Sequence, residues 1–120
     1  MDDLNKYLPF LGAEISVTID RPLGSLHPTL QFPYETNYGY VPKTVAGDGR
    51  EIDAYVLGVD EPLQHYTGTC IAIIMRRDDN EHKLVVCHAP MTEHEILEKT
   101  AFVEAHYDTE VLLYDGHEEG

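Results

Sequence analysis

Six side chains suited to metal and phosphate chemistry fall in two short stretches, Asp48 and Asp53 in one and Asp78, Asp79, Glu81 and Lys83 in the other. Ala46-Gly47-Asp48-Gly49-Arg50 is a turn by composition, because glycine supplies positive φ and aspartate can bond its own backbone. Asp53 follows Asp48 by five residues, on a strand expected from Glu51 to about Val59. A loop carboxylate can therefore fold back beside a strand carboxylate, and two such oxygens suit Mg²⁺, Mn²⁺ or Ca²⁺. Asp48 taken alone also fits a simple turn former. Alternation along the strand groups Asp53 with Tyr55, Leu57 and Val59, and sets Ile52, Ala54 and Val56 on the opposite face. A carboxylate amid apolar neighbours must be paired, protonated or bound to metal. A rim acid paired with lysine or arginine meets that condition as well as a metal ligand does.

In the second stretch, Asp78 and Asp79 also read as turn formers within Arg77-Asp78-Asp79-Asn80-Glu81. Glu81 and Lys83 are two apart and project from one face of the strand that follows, which sets a metal-type oxygen beside a phosphate-type cation. Tyr34, Tyr38 and Tyr40 cluster around Gly39, where they offer phenolic donors to phosphate oxygens or ordinary aromatic packing. The chain has no Gly-x-x-x-x-Gly-Lys loop, EF-hand loop or Gly-x-Ser-x-Gly elbow, so the signatures of P-loop nucleotide binding, calcium sensing and serine hydrolysis are missing.

The elements that must hold these groups are mostly strands. Glu14 to Ile19 alternates with β-branched Ile15, Val17 and Ile19, Asn37 to Val41 is a short strand stopped by Pro42, and Gly24 to Tyr34 is a loop rich in Gly and Pro. Thr69 to Arg76 and His82 to His88 read as a β-hairpin with a wide loop. Thr92-x-x-Glu95 is a capping box, with Ile96, Leu97, Ala101, Phe102 and Ala105 following at helical spacing. Val111 to Tyr114 offers a closing strand, and Asp115 to Gly120 an acidic tail. The pattern is a mainly β, α+β architecture: a small OB-like β-barrel with a C-terminal helix packed on it, formed as a single domain over residues 1–120.

Composition narrows the partners. Twenty-two acidic residues against eight basic ones give a formal charge of −14, which repels nucleic-acid backbones and anionic membranes. An OB-type oligonucleotide binder is disfavoured for that reason. The acidic start, Met1-Asp2-Asp3-Leu4-Asn5-Lys6, is unlike a secretion signal, so the expected location is cytoplasmic. Cys70 and Cys87 lie inside apolar runs and read as core thiols, and the seven histidines as mostly surface residues.

Taken in order, Asn37-Tyr38-Gly39-Tyr40-Val41, Asp48-Gly49-Arg50-Glu51-Ile52-Asp53, Asp78-Asp79-Asn80-Glu81-His82-Lys83 and Glu104-Ala105-His106-Tyr107 make the chain resemble the soluble family I inorganic pyrophosphatases over roughly residues 14–114. The resemblance implies a magnesium-dependent site inside the mouth of an OB-like barrel, with Mg²⁺ or Mn²⁺ on Asp48, Asp53, Asp78 and Glu81. By the same resemblance Lys83, Tyr38, Tyr107 and Tyr34 contact phosphate, the substrate is pyrophosphate or a related small phosphate compound, and the protein assembles as a homo-oligomer. Metal-activated water attacks phosphorus in line in such a reaction.

The departures from the family pattern are equally specific. Arg50 stands where the family has the middle Asp of an Asp-x-Asp-x-x-Asp motif, so it joins Asp48 and Asp53 in the catalytic set with its charge reversed. The segment from His27 to Tyr34 is too short for the family's extra hairpin, and no counterpart of its phosphate-binding arginine is found there. Pro28 or His27 falls where an early lysine is expected, and Asp108 follows Tyr107 where a lysine would normally follow. Either Arg50 turns inward to bind phosphate, or the fold serves as a non-catalytic module that binds metal and a phosphorylated small molecule.

Overall fold

The computed structural model describes residues 3–46, 49–77 and 81–114. Its strands are β1 (Glu14–Arg21), β2 (Asn37–Val41), β3 (Ile52–Val56), β4 (His65–Arg76), β5 (Lys83–Cys87) and β6 (Thr109–Leu113), with helix α1 (Glu93–Glu104) between β5 and β6. Neighbours run β1-β2-β3-β5-β4, and β4 returns to pair with β1, which closes a five-stranded OB-like barrel. Every pairing is antiparallel except β3 with β5, which is parallel through Ala54↔Leu84, Tyr55↔Val85 and Val56↔Val86. β4 is long enough to serve three partners: its first half closes on β1, its second half carries β6, and β5 lies along its other edge.

Alternation divides the buried residues into two layers. Ile15, Val17, Ile19, Ile52, Ala54, Val56, Leu84 and Val86 fill the barrel, joined by Tyr7 from the N-terminal turns. Tyr55, Leu57, Ile74, Val85 and Cys87 form an outer layer under Ile96 of α1 and Val111 of β6. β3 divides as its sequence predicts, but it ends at Val56, short of the expected Val59. Both cysteines are free and buried. Gly39 is demanded by the β1–β2 crossing, because a Cβ there would overlap the Thr18 carbonyl.

The capping box forms as expected, with the Glu95 N–H donating to Thr92 Oγ1 at 3.1 Å and the Thr92 N–H donating to Glu95 Oε1 at 2.9 Å. Those bonds hold the Glu95 carboxyl below its ordinary range. The face that α1 buries differs from the apolar reading. Ile96, Thr100 and Glu104 are buried at four-residue spacing, while Ala101 and Ala105 are exposed. The cause is polar: Glu104 is drawn inward by Arg76 and Tyr55, and the Thr100 hydroxyl donates to the Ile96 carbonyl at 2.8 Å. The described histidines are mostly at the surface, as expected, and His82 is the exception, buried against Tyr7 with Nδ1 accepting the Arg76 N–H at 3.1 Å. Among the described residues no helix is long and apolar enough to cross a membrane.

Candidate active site

The parallel pairing of β3 with β5 puts Asp53 and Lys83 side by side where the two strands begin. Lys83 Nζ lies 2.7 Å from Asp53 Oδ2 and 3.9 Å from Glu81 Oε1, so the lysine bridges two carboxylates. Its side chain is 4% exposed whereas Asp53 and Glu81 keep 36% and 41%: the cation is sunk into the wall and the acids face solvent. Tyr38, from β2, presents its ring 5.8 Å from Lys83 Nζ and packs edge-on against Tyr55. Burial, then the charge of Asp53 and a hydrogen bond to it, push the Tyr38 phenol well above its ordinary range. It stays a proton donor.

These groups open on a cavity of about 260 Å³ whose wall also carries Asp20, Arg21, His27, Tyr34 and Arg50. Asp20 and Arg21 are consecutive in β1, where alternation would send them to opposite faces. A register shift between Ile19 and Arg21, opposite Gly39 and Tyr38, removes that constraint. Such a bulge re-aims a side chain, and here it gives both residues to one cavity. Arg21 Nη1 donates to the Asp20 carbonyl at 3.2 Å, and the guanidinium is near enough to the Tyr34 phenol to oppose the upward shift that burial gives it. Tyr34 is itself buried, stacked on His27 and tilted against Tyr38. Burial raises the Asp20 carboxyl above its ordinary range, and the neighbouring Arg21 opposes that shift.

Six of the expected residues, Asp53, Glu81, Lys83, Tyr34, Tyr38 and Arg50, thus meet at or beside one cavity. Asp48 and Asp78 lie outside the described residues. Tyr107 lines a different cavity, with Leu97, Glu104 and Asp108, and its ring lies 3.7 Å from the Arg76 guanidinium carbon. The position of the site is also a correction. Asp53 and Lys83 project from the outer wall, because Ile52, Ala54, Leu84 and Val86 take the inward positions and fill the barrel. A barrel this small has no room for a polar mouth at that level.

Asp20 and Arg21 escape the sequence reading, and His27 enters it only as a position where an early lysine is expected. Asp20 and Arg21 stand at the end of an alternating strand beside Pro22, and a bulge leaves no mark in such a pattern. Among the described residues, no group of three or more His, Cys, Asp or Glu side chains is gathered as a metal site. Asp20, Asp53 and Glu81 line one cavity and carry oxygen donors of the kind that hard divalent cations prefer, without converging on a single point.

Comparison with known proteins gives the fold a lineage. Solved inorganic pyrophosphatases share it. That of Neisseria gonorrhoeae matches with a TM-score of 0.59 at 21% identity, over 80% of this chain and 74% of its own. That of Ehrlichia chaffeensis gives 0.52 at 22%, over 68% and 62%, so this chain spans less than two thirds of that relative's length. That of Thermus thermophilus gives 0.53 at 18%, over 82% and 80%. No curated protein matches the chain. The family model described as inorganic pyrophosphatase matches residues 14–111, and on that match, which takes in β1 through most of β6 and every described wall of the cavity, the chain belongs to the inorganic pyrophosphatase family.

Proposed function

We propose that this chain, acting as a single domain, hydrolyses inorganic pyrophosphate or a related phosphoanhydride to phosphate with the help of Mg²⁺. One observation carries the reading: a buried lysine bridges two solvent-facing carboxylates beside a phenol that keeps its proton. Asp53 and Glu81 would hold the metal together with Asp48 and Asp78, as the family resemblance implies. Bound there, Mg²⁺ (or Mn²⁺) would neutralise the diphosphate and acidify a coordinated water. Lys83 then contributes in two ways, fixing the Asp53 carboxylate in place and offering its remaining N–H groups to a phosphoryl oxygen. Tyr38 and Tyr34 supply further donors, and Arg50 brings a guanidinium to the cavity wall. A cytoplasmic, homo-oligomeric enzyme is the accompanying expectation.

Arg50 is the specific observation that favours a second reading, a non-catalytic module that binds metal and a phosphorylated small molecule. Phosphate release from pyrophosphate with Mg²⁺ or Mn²⁺ separates the two. The native chain is expected to release phosphate well above background and Asp53→Ala to fall to background. Background rates for both proteins, together with an Asp53-dependent rise in melting temperature on adding Mg²⁺, would establish the binding module instead. Arg50→Asp tests the reversed charge directly, since a large gain in rate would identify the middle carboxylate as the missing group.

A further inference from the structure

We infer that Arg21 is an oxyanion-gripping residue of this site, directing a phosphoryl group of the substrate onto the Lys83 side of the cavity. The inference rests on the pyrophosphatase reading and adds a residue that the sequence motifs do not contain.

Three observations carry it. The bulge at the end of β1 turns Arg21 into the cavity that alternation would deny to one of the pair Asp20 and Arg21. Its charge is uncommitted. Lys83 is bound to Asp53, and Arg76 to Glu104, whereas Arg21 has no carboxylate within ion-pair distance among the described residues. Its hydrogen bond goes to a neutral acceptor, the Asp20 carbonyl, and the neighbouring Asp20 carboxylate feels its charge without forming an ion pair. The remaining N–H groups form a planar fork of the kind that takes two oxygens of one phosphoryl group. Finally, the guanidinium lies beside a rigid ring on the same cavity wall. Tyr34 is 6% exposed and packs against His27, Tyr38 and Phe102, so the surface beside Arg21 is set before an anion arrives. A guanidinium on the cavity wall, with Lys83 held behind Asp53 of the same wall, gives a diphosphate two cations to span.

The test compares native chain, Arg21→Met, Arg21→Lys and Tyr34→Phe. For each, KM and kcat are measured with pyrophosphate and Mg²⁺, binding of non-hydrolysable imidodiphosphate is followed by calorimetry, and melting temperature serves as the check on folding. Arg21→Met is expected to raise KM and weaken imidodiphosphate binding about 10- to 100-fold, the range for losing a charge-assisted bond. Arg21→Lys should recover part of that loss, since it restores charge without the fork, and Tyr34→Phe should show a smaller loss through misorientation of Arg21. Should Arg21→Met fail to fold, a Lys variant indistinguishable from native overturns the requirement for a fork. Affinity and KM within about twofold of native in a folded Arg21→Met overturn the inference, whatever the native rate. A native chain that turns over nothing yet binds imidodiphosphate through Arg21 keeps it and sinks hydrolysis. A native chain that does not bind imidodiphosphate at all sinks both.

Discussion

Two cation–carboxylate contacts stand on the same outer layer of the barrel, and they differ in almost every physical respect. At one, Arg76 Nε and Nη2 donate to the two oxygens of Glu104 at 3.1 and 2.8 Å, the Tyr55 hydroxyl donates to the same carboxylate at 2.6 Å, and Tyr107 lies over the guanidinium. Both partners are sealed, at 6% and 2% exposure. At the other, Lys83 meets Asp53 and Glu81 with only the cation buried. The first turns its bonding inward and ties α1 to β3 and β4. The second leaves carboxylate oxygens facing water, where a hard cation can reach them. What separates a clamp from a candidate site here is which partner keeps its solvent, more than which residues are paired.

The comparison can be broken most forcefully at the clamp. Glu104→Ala leaves Arg76 buried without its counter-charge and should cost about 3–5 kcal/mol, read as a fall in the denaturation midpoint. An unchanged midpoint would mean that the sealed pair is dispensable. Alkaline pH attacks the same region more gradually. Burial and the neighbouring Glu104 raise the Tyr55 phenol well above its ordinary value of 10.0. The unfolded chain gives up this proton first, so the associated stability is complete below pH 10 and is lost as pH rises through and beyond it. Tyr38 and Cys70, the latter raised from 9.0 to about 11, act with the same sign. Melting temperature should therefore decline in that range, and Tyr55→Phe should flatten the decline without abolishing it.

At the open pair the ranking reverses. Lys83→Met should change folding stability by about 1 kcal/mol or less, because Asp53 remains solvated, yet it should remove most phosphate release from pyrophosphate. A large fall in melting temperature with activity retained would make Lys83 a second clamp. The smallest effect is expected at Tyr107. Tyr107→Leu removes a ring over a guanidinium, worth about 0.5–1 kcal/mol, and should leave the KM for pyrophosphate unchanged. A raised KM would instead assign Tyr107 to substrate, as the family resemblance implies.

The contrast also explains what could be read in advance. Asp53, Glu81 and Lys83 were legible because strand alternation fixes their faces, and Tyr34 and Tyr38 because they cluster around Gly39. The β-rich barrel with one capped helix was legible on the same grounds, down to the Thr92–Glu95 box. Arg76 and Glu104 were not, since their meeting depends on the packing of α1 over β4 across 28 residues of sequence. Alternation and helical period describe an element against an apolar core, and they misplace a helix whose buried stripe ends in a charge. Arg21 was hidden for a different reason: one extra residue in β1 reverses its face without altering composition.

The parallel pairing of β3 with β5 has a consequence for folding. A hairpin brings its residues together early and locally, but Asp53 and Lys83 are 30 residues apart and become neighbours only after β4 has been laid down between them in sequence and β5 has docked on its far edge. That closure carries the entropy of a long loop and belongs late in barrel assembly. No partly folded fragment contains the site, so a ligand that engages both side chains stabilises the barrel as a whole and slows its global opening.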